Sequence, residues 1–102
     1  MNSLDLRLLW AFLVVAEERS ITKASSRLYM SQQTLSEQIQ KLERTLGVPL
    51  LARTPRGVAA TAAGRELAEY GAGLSVELDA LVRRLRLVSA QESRSAASIS
   101  GS

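Results

Sequence analysis

With 102 residues, the chain has room for one small domain and little else. Hydrophobic residues make up 46 % and charged residues 23 %, and the only aromatics are Trp10, Phe12, Tyr29 and Tyr70, so the core must be built from Leu, Val, Ile and Ala, which suits packed helices. Cysteine and histidine are both absent, which excludes disulfides, thiolate or imidazole catalysis and the usual zinc sites; no metal and no cofactor are expected.

The first helix is predicted from about Asp5 to Glu18. Leu6, Leu9, Leu13 and Ala16 follow helical spacing, and Trp10 and Phe12 widen the apolar face. The apolar run from Leu8 to Ala16 is too short to cross a bilayer, and the polar Asn2, Ser3 and Asp5 make no secretory leader; the expectation is a cytoplasmic protein with no membrane partner. Ser20 is suited to cap a short second helix, Ile21 to Leu28, with Ile21, Ala24 and Leu28 inward and Lys23, Ser26 and Arg27 outward. Tyr29-Met30 interrupts the pattern. Ser31 then offers a second cap, and Leu35, Ile39, Leu42 and Leu46 define a third helix that stops at Gly47, a residue suited to the left-handed position after a helix. Two helices joined by a turn of about three residues make a helix-turn-helix.

After Gly47 the chain changes character. Val48 to Ala52 reads as extended, Thr54-Pro55-Arg56-Gly57 as a turn, and Val58-Ala59-Ala60 as the return strand: a small hairpin wing. Thr61 is suited to cap a fourth helix running to about Val88. Along it, Leu67, Gly71, Leu74, Leu78, Leu81, Leu85 and Val88 alternate at spacings of four and three, a heptad seam that calls for a partner helix. The dimerisation residues are therefore Leu67, Leu74, Leu78, Leu81 and Leu85. The fold class is mainly α: a winged helix-turn-helix over residues 1–60, with a three-helix core and a β-hairpin wing, then a long linker and dimerisation helix over 61–88. Residues 89–102 are poor in apolar side chains and read as a disordered tail or a linker onward.

Charge is unevenly spread. Arg19, Lys23, Arg27, Lys41, Arg44, Arg53, Arg56 and Arg65 face only Glu37 and Glu43 in the middle of the chain, a net of +6 there against +3 overall. A basic middle suits a polyanion. Adenine edges in the major groove match a bidentate Gln, so Gln32, Gln33 and Thr34, at the start of the third helix, are candidates for base reading. Ser31, Ser36, Lys23, Arg27, Lys41 and Arg44 are candidate phosphate contacts, and Arg53 and Arg56 would enter the minor groove or hold a backbone phosphate. Glu37 is open at this point: it reads a base by accepting from cytosine N4, pairs with Lys41, or points away. No paired carboxylates at catalytic spacing and no phosphate-cradling glycine loop suggest an enzyme.

These residues carry a resemblance. Phe12-Leu-Val-Val-Ala-Glu-Glu18, Ser20-Ile-Thr-Lys-Ala24 and Arg27-Leu28 are similar to the first two helices of the DNA-binding domain of LysR-type transcriptional regulators. Ser31-Gln-Gln-Thr-Leu-Ser36, Gln38-Ile39, Leu42-Glu43 and Leu46-Gly47-Val48 resemble the family's recognition helix. Leu50-Leu51-Ala-Arg53, Arg56-Gly57 and Thr61-Ala-Ala-Gly64 resemble its wing and the start of its linker helix. The resemblance implies double-stranded DNA as partner, an imperfect inverted repeat as target, and a homodimer whose linker helices pair antiparallel. It places a base-reading glutamine at Gln32 and a wing arginine at Arg53. Gln33 stands where proline is frequent, Glu37 where arginine is, and Leu51 where phenylalanine is; the first two bear on the target sequence rather than the fold. Any small-molecule effector would act through a larger domain that this chain does not contain. The contrasting expectation is an adaptor that pairs through the heptad helix and has lost DNA contact.

Overall fold

The computed structural model describes the backbone of residues 4–100 and the side chains of residues 4–95. Its elements run α1 (Leu6–Glu18), α2 (Ile21–Arg27), α3 (Gln32–Leu46), β1 (Leu51–Thr54), β2 (Gly57–Ala60) and α4 (Ala62–Ser100). This is the expected winged helix-turn-helix followed by a long helix. The chain divides into two compact units, Met1–Ala72 and Gly73–Ser102.

Caps set the boundaries in the first unit. The Asp5 side chain accepts from the Arg7 amide at 2.9 Å and starts α1; hydrogen bonds from the Arg7 guanidinium foremost, and then this amide, hold the Asp5 carboxyl below its ordinary pKa. Ser20 accepts from the Lys23 amide at 3.1 Å and starts α2, and Ser31 accepts from the Thr34 amide at 3.1 Å and starts α3. Gly47, at φ 75°, ends α3 in the left-handed conformation.

Leu8, Ala11, Phe12, Val14 and Val15 of α1 form the core with Ala24 of α2, Leu35, Ile39 and Leu42 of α3, and Leu50. Phe12, Leu35, Leu42, Leu50 and Val15 are its largest fully buried side chains. The phase of α1 differs from the one read off the sequence. Leu6 and Trp10 are 66 % and 52 % exposed, and Leu13 and Ala16 are only half-buried. A helix that is apolar nearly all round offers several stripes of similar hydrophobicity, and only packing against α2 and α3 selects one.

The hairpin pairs Leu51 with Ala60, Ala52 with Ala59, Arg53 with Val58 and Thr54 with Gly57, so Pro55 and Arg56 alone form its tip. The Thr54 hydroxyl donates to the Gly57 carbonyl at 3.2 Å and accepts from the Arg56 amide at 3.3 Å. Thr61 is the joint between wing and α4: its hydroxyl accepts from the Gly64 amide at 3.0 Å and donates to the Pro49 carbonyl at 2.7 Å.

α4 is 39 residues long and continues past Val88 to Ser100, where the sequence pattern suggests a tail. From Ser89 the apolar period ends, but Ala90, Gln91, Glu92 and Arg94 are good or neutral helix formers, and neither Gly nor Pro stands before Gly101. Loss of an apolar seam removes a packing surface, not helical propensity. Residues 101 and 102 lie outside the described residues. Within α4, Leu67 packs against the core of the first unit, whereas Leu78, Leu81 and Leu85 are exposed. Leu67, the first member of the expected dimerisation set, is thus half-buried against its own domain.

Three glycines of α4 make a graded test. A Cβ on Gly64 would collide with the Leu50 carbonyl; one on Gly71 would meet the Leu13 side chain at 2.5 Å; one on Gly73 would meet nothing within 4 Å. Gly64→Ala is expected to destabilise by about 3 kcal/mol, because backbone cannot yield as a side chain can. Gly73→Ala should stabilise α4 by about 1 kcal/mol, the helix-propensity difference, and Gly71→Ala should fall between the two. Urea denaturation of the three variants gives the order.

Candidate nucleic-acid interface

The interface is built from the start of α3. Leu35, Ile39 and Leu42 are buried, so the opposite ridge of the same helix is forced outward. Gln32, Gln33, Thr34 and Glu37 are all exposed there. The Ser31 hydroxyl, besides capping the helix, donates to the Thr34 hydroxyl oxygen at 2.8 Å, which leaves the Thr34 proton free to donate outward. The first backbone amides of α3 add a partial positive charge at this end.

A cleft of about 520 Å³ joins this end of α3 to its surroundings. Gln32, Gln33 and Ser36 form one wall, Ser20 and Thr22 at the start of α2 a second, and Arg53 and Thr54 of the wing a third. Residues that the sequence places 20 positions apart thus share one concave surface, to which Ile21, Pro55 and Val58 add apolar lining. Thr22 was not among the expected contacts; nothing in the sequence separates it from other exposed threonines, and only the fold brings it to the cleft.

Lys23, Lys41 and Arg56 are exposed but do not line the cleft. Arg27 differs. Its guanidinium is held by Glu17 at 3.3 Å and Glu18 at 3.1 Å, both on α1, and the Glu18 bond foremost raises its pKa above the ordinary value. A cation already facing two carboxylates has little field left for a phosphate. Glu37 accepts from the Gln33 side-chain amide at 3.4 Å, and its pairing with Lys41, open in the sequence, is not made.

Glu43 is the structural residue that sequence reasoning missed. Its carboxylate accepts from the Leu50 amide at 2.7 Å and the Leu51 amide at 3.3 Å, tying the end of α3 to the entry of the wing. No pattern announces it, because its partners are backbone groups of a loop. A second tie comes from α1: the Arg19 carbonyl, at a left-handed C-cap, accepts from the Val58 amide at 3.5 Å. The wing is therefore held to α3 and α1 through its own main-chain amides, by the Glu43 carboxylate and the Arg19 carbonyl, rather than by its exposed side chains.

The sequence profile described as "Bacterial regulatory helix-turn-helix protein, lysR family" matches residues 6–65. The chain belongs to this family. Its relatives include the uncharacterized HTH-type transcriptional regulator YnfL of Escherichia coli (strain K12), 48 % identical over 86 residues, which cover 83 % of this chain and 29 % of YnfL. The fold is similar to the BenM DNA-binding domain in its complex with catB site 1 DNA, with a TM-score of 0.78, 39 % identity, and coverage of 83 % of this chain and 96 % of that one. It is also similar to the CbnR DNA-binding domain in a DNA complex, with a TM-score of 0.75, 35 % identity, and coverage of 83 % and 98 %. The chain is thus a LysR-type DNA-binding domain with the winged helix-turn-helix fold. It spans 29, 20 and 21 % of three of the curated relatives it matches. No helix among the described residues is long and apolar enough to cross a membrane.

The Glu43 tie has a measurable weight. Glu43→Ala leaves two partly buried amides without a partner and should cost about 1–3 kcal/mol of stability. The amides of Leu50 and Leu51 should exchange with solvent faster, and those in the middle of α1 should not exceed the global change.

Proposed function

We propose that this domain binds double-stranded DNA sequence-specifically as a homodimer and regulates transcription from an imperfect inverted repeat. In this reading α3 lies in the major groove with Gln32, Gln33, Thr34 and Glu37 at the base edges. Ser31, Ser36, Lys23 and Lys41 hold phosphates, and Arg53 and Arg56 reach the minor groove or the backbone. Arg27 serves instead to join α2 to α1. The observation that carries the reading is the shared cleft: base-reading chemistry on α3 and a wing cation line one concave surface. The DNA complexes formed by the BenM and CbnR domains support it.

The second unit supports the dimer. Leu74 is half-buried, and Leu78, Leu81, Leu85 and Val88 are exposed on one stripe of α4. Along this stretch Glu77 and Asp79 come first, and Arg83, Arg84 and Arg86 follow. Parallel pairing would set like charges side by side; antiparallel pairing sets acids against bases. With Leu78 layered on Leu81 of the partner subunit and Leu74 on Leu85 of the partner subunit, Glu77 meets the partner's Arg84, and the two-fold axis makes the contact twice.

A mobility shift with duplexes selected from a random pool tests DNA binding directly. Gln32→Ala should weaken the selected site by about 1–3 kcal/mol and relax discrimination at one position, with random duplex little affected. Arg53→Ala should weaken all duplexes alike and lower the salt dependence by about one counterion. Equal binding of the unaltered domain to random and selected duplexes would refute sequence specificity, and a dimer that ignores duplex at low salt would favour the adaptor.

The pairing has its own test. Glu77→Arg or Arg84→Glu alone should weaken dimerisation about tenfold, since each puts two like-charge contacts in place of two ion pairs. The double reversal should restore it, as read by sedimentation.

A further inference from the structure

We propose that Gln33 and Glu37 act as one coupled reading unit that selects a base bearing an exocyclic amino group, cytosine or adenine, at one major-groove position of each half-site. The inference rests on the DNA-binding reading above and specifies what one part of that surface recognises.

Gln33 and Glu37 stand one helical turn apart on the exposed ridge of α3, and the Gln33 Nε2 donates to the Glu37 Oε1 at 3.4 Å. A carboxylate can only accept, so the amide must turn its nitrogen toward Glu37. Its carbonyl oxygen is then directed away from the carboxylate. The pair presents outward the Gln33 carbonyl and the second Glu37 oxygen, two acceptors, with one amide hydrogen left over. Among the described residues the ion pairs are Asp5–Arg7 and those of Arg27 with Glu17 and Glu18, so the Glu37 charge has no cation against it.

Such an edge discriminates. Cytosine N4 and adenine N6 are the amino donors of the major groove, whereas guanine O6 and N7 and thymine O4 are acceptors. Facing an amino group, the Glu37 oxygen gains a charge-assisted bond. Facing guanine or thymine, it meets an acceptor at close range, within the field of nearby phosphates. The carboxylate therefore weakens binding wherever the strand it faces presents guanine or thymine, and its larger contribution is to rejection of that orientation of the base pair. Gln33, held by Glu37, is a positioning and reading residue together.

The test is selection from a random duplex pool followed by measured affinities for the unaltered domain, Glu37→Gln, Gln33→Ala and Gln32→Ala, each checked for folding by circular dichroism. The unaltered domain should prefer cytosine or adenine over guanine or thymine about tenfold or more at one position per half-site. Glu37→Gln, which can donate as well as accept, should cut that preference to about threefold or less while random duplex binds several-fold tighter. Gln33→Ala should relax the same position rather than another. An unchanged base profile in Glu37→Gln, or a preference for guanine or thymine at the position it alters, overturns the proposal. If Gln32→Ala still relaxes its own position in that case, the DNA-binding reading survives. If no motif is selected at all, both fall.

Discussion

The buried stripe of Leu35, Ile39 and Leu42 is the constraint from which the rest follows. Once these three side chains enter the core with Phe12, Val15 and Leu50, the rotation of α3 about its axis is set, and Gln32, Gln33 and Glu37 have no orientation available except outward. Rotating α3 by one residue position would bury polar amides and expose leucine, which costs several kcal/mol on both counts. The stability of the domain and the aim of its polar ridge are therefore one and the same packing decision.

Other contacts set where that ridge ends and what stands beside it. Ser31 starts α3 and fixes which amides remain free, Glu43 ties the far end of the helix to Leu50 and Leu51, and Thr61 joins Pro49 to the first turn of α4. These are short-range bonds between a side chain and backbone. They explain how a hairpin of four paired positions, too small to be stable by itself, holds a definite place next to α3.

Much of this was legible in the sequence. The caps Ser20 and Ser31, the stop at Gly47 and the turn at Pro55-Arg56 are local signals, because each depends on backbone geometry within a few residues. The seam of α3 was equally plain, since its apolar and polar positions alternate sharply. The phase of α1 was not, because Leu6 and Trp10 look as apolar as the neighbours that are buried instead. Nor was the end of α4, because the apolar period stops at Val88 while the helix runs on to Ser100. At the candidate interface, residue types point to the α3 ridge and the wing arginines. They could not reveal that Arg27 faces Glu17 and Glu18, that Thr22 joins the cleft, or that Glu43 braces the wing, because those relations span separate elements.

The anchoring of the hairpin through the carbonyl of Arg19 and the carboxylate of Glu43 has an evolutionary consequence. Neither tie uses the side chain of Arg53, Pro55 or Arg56. Substitutions at the tip can accumulate without loosening the scaffold, so whatever the tip touches is open to retuning at little risk to folding. The α3 ridge has less of this freedom, since its residues share a helix with the core. Divergence among descendants of such a domain should proceed fastest at the tip of its hairpin.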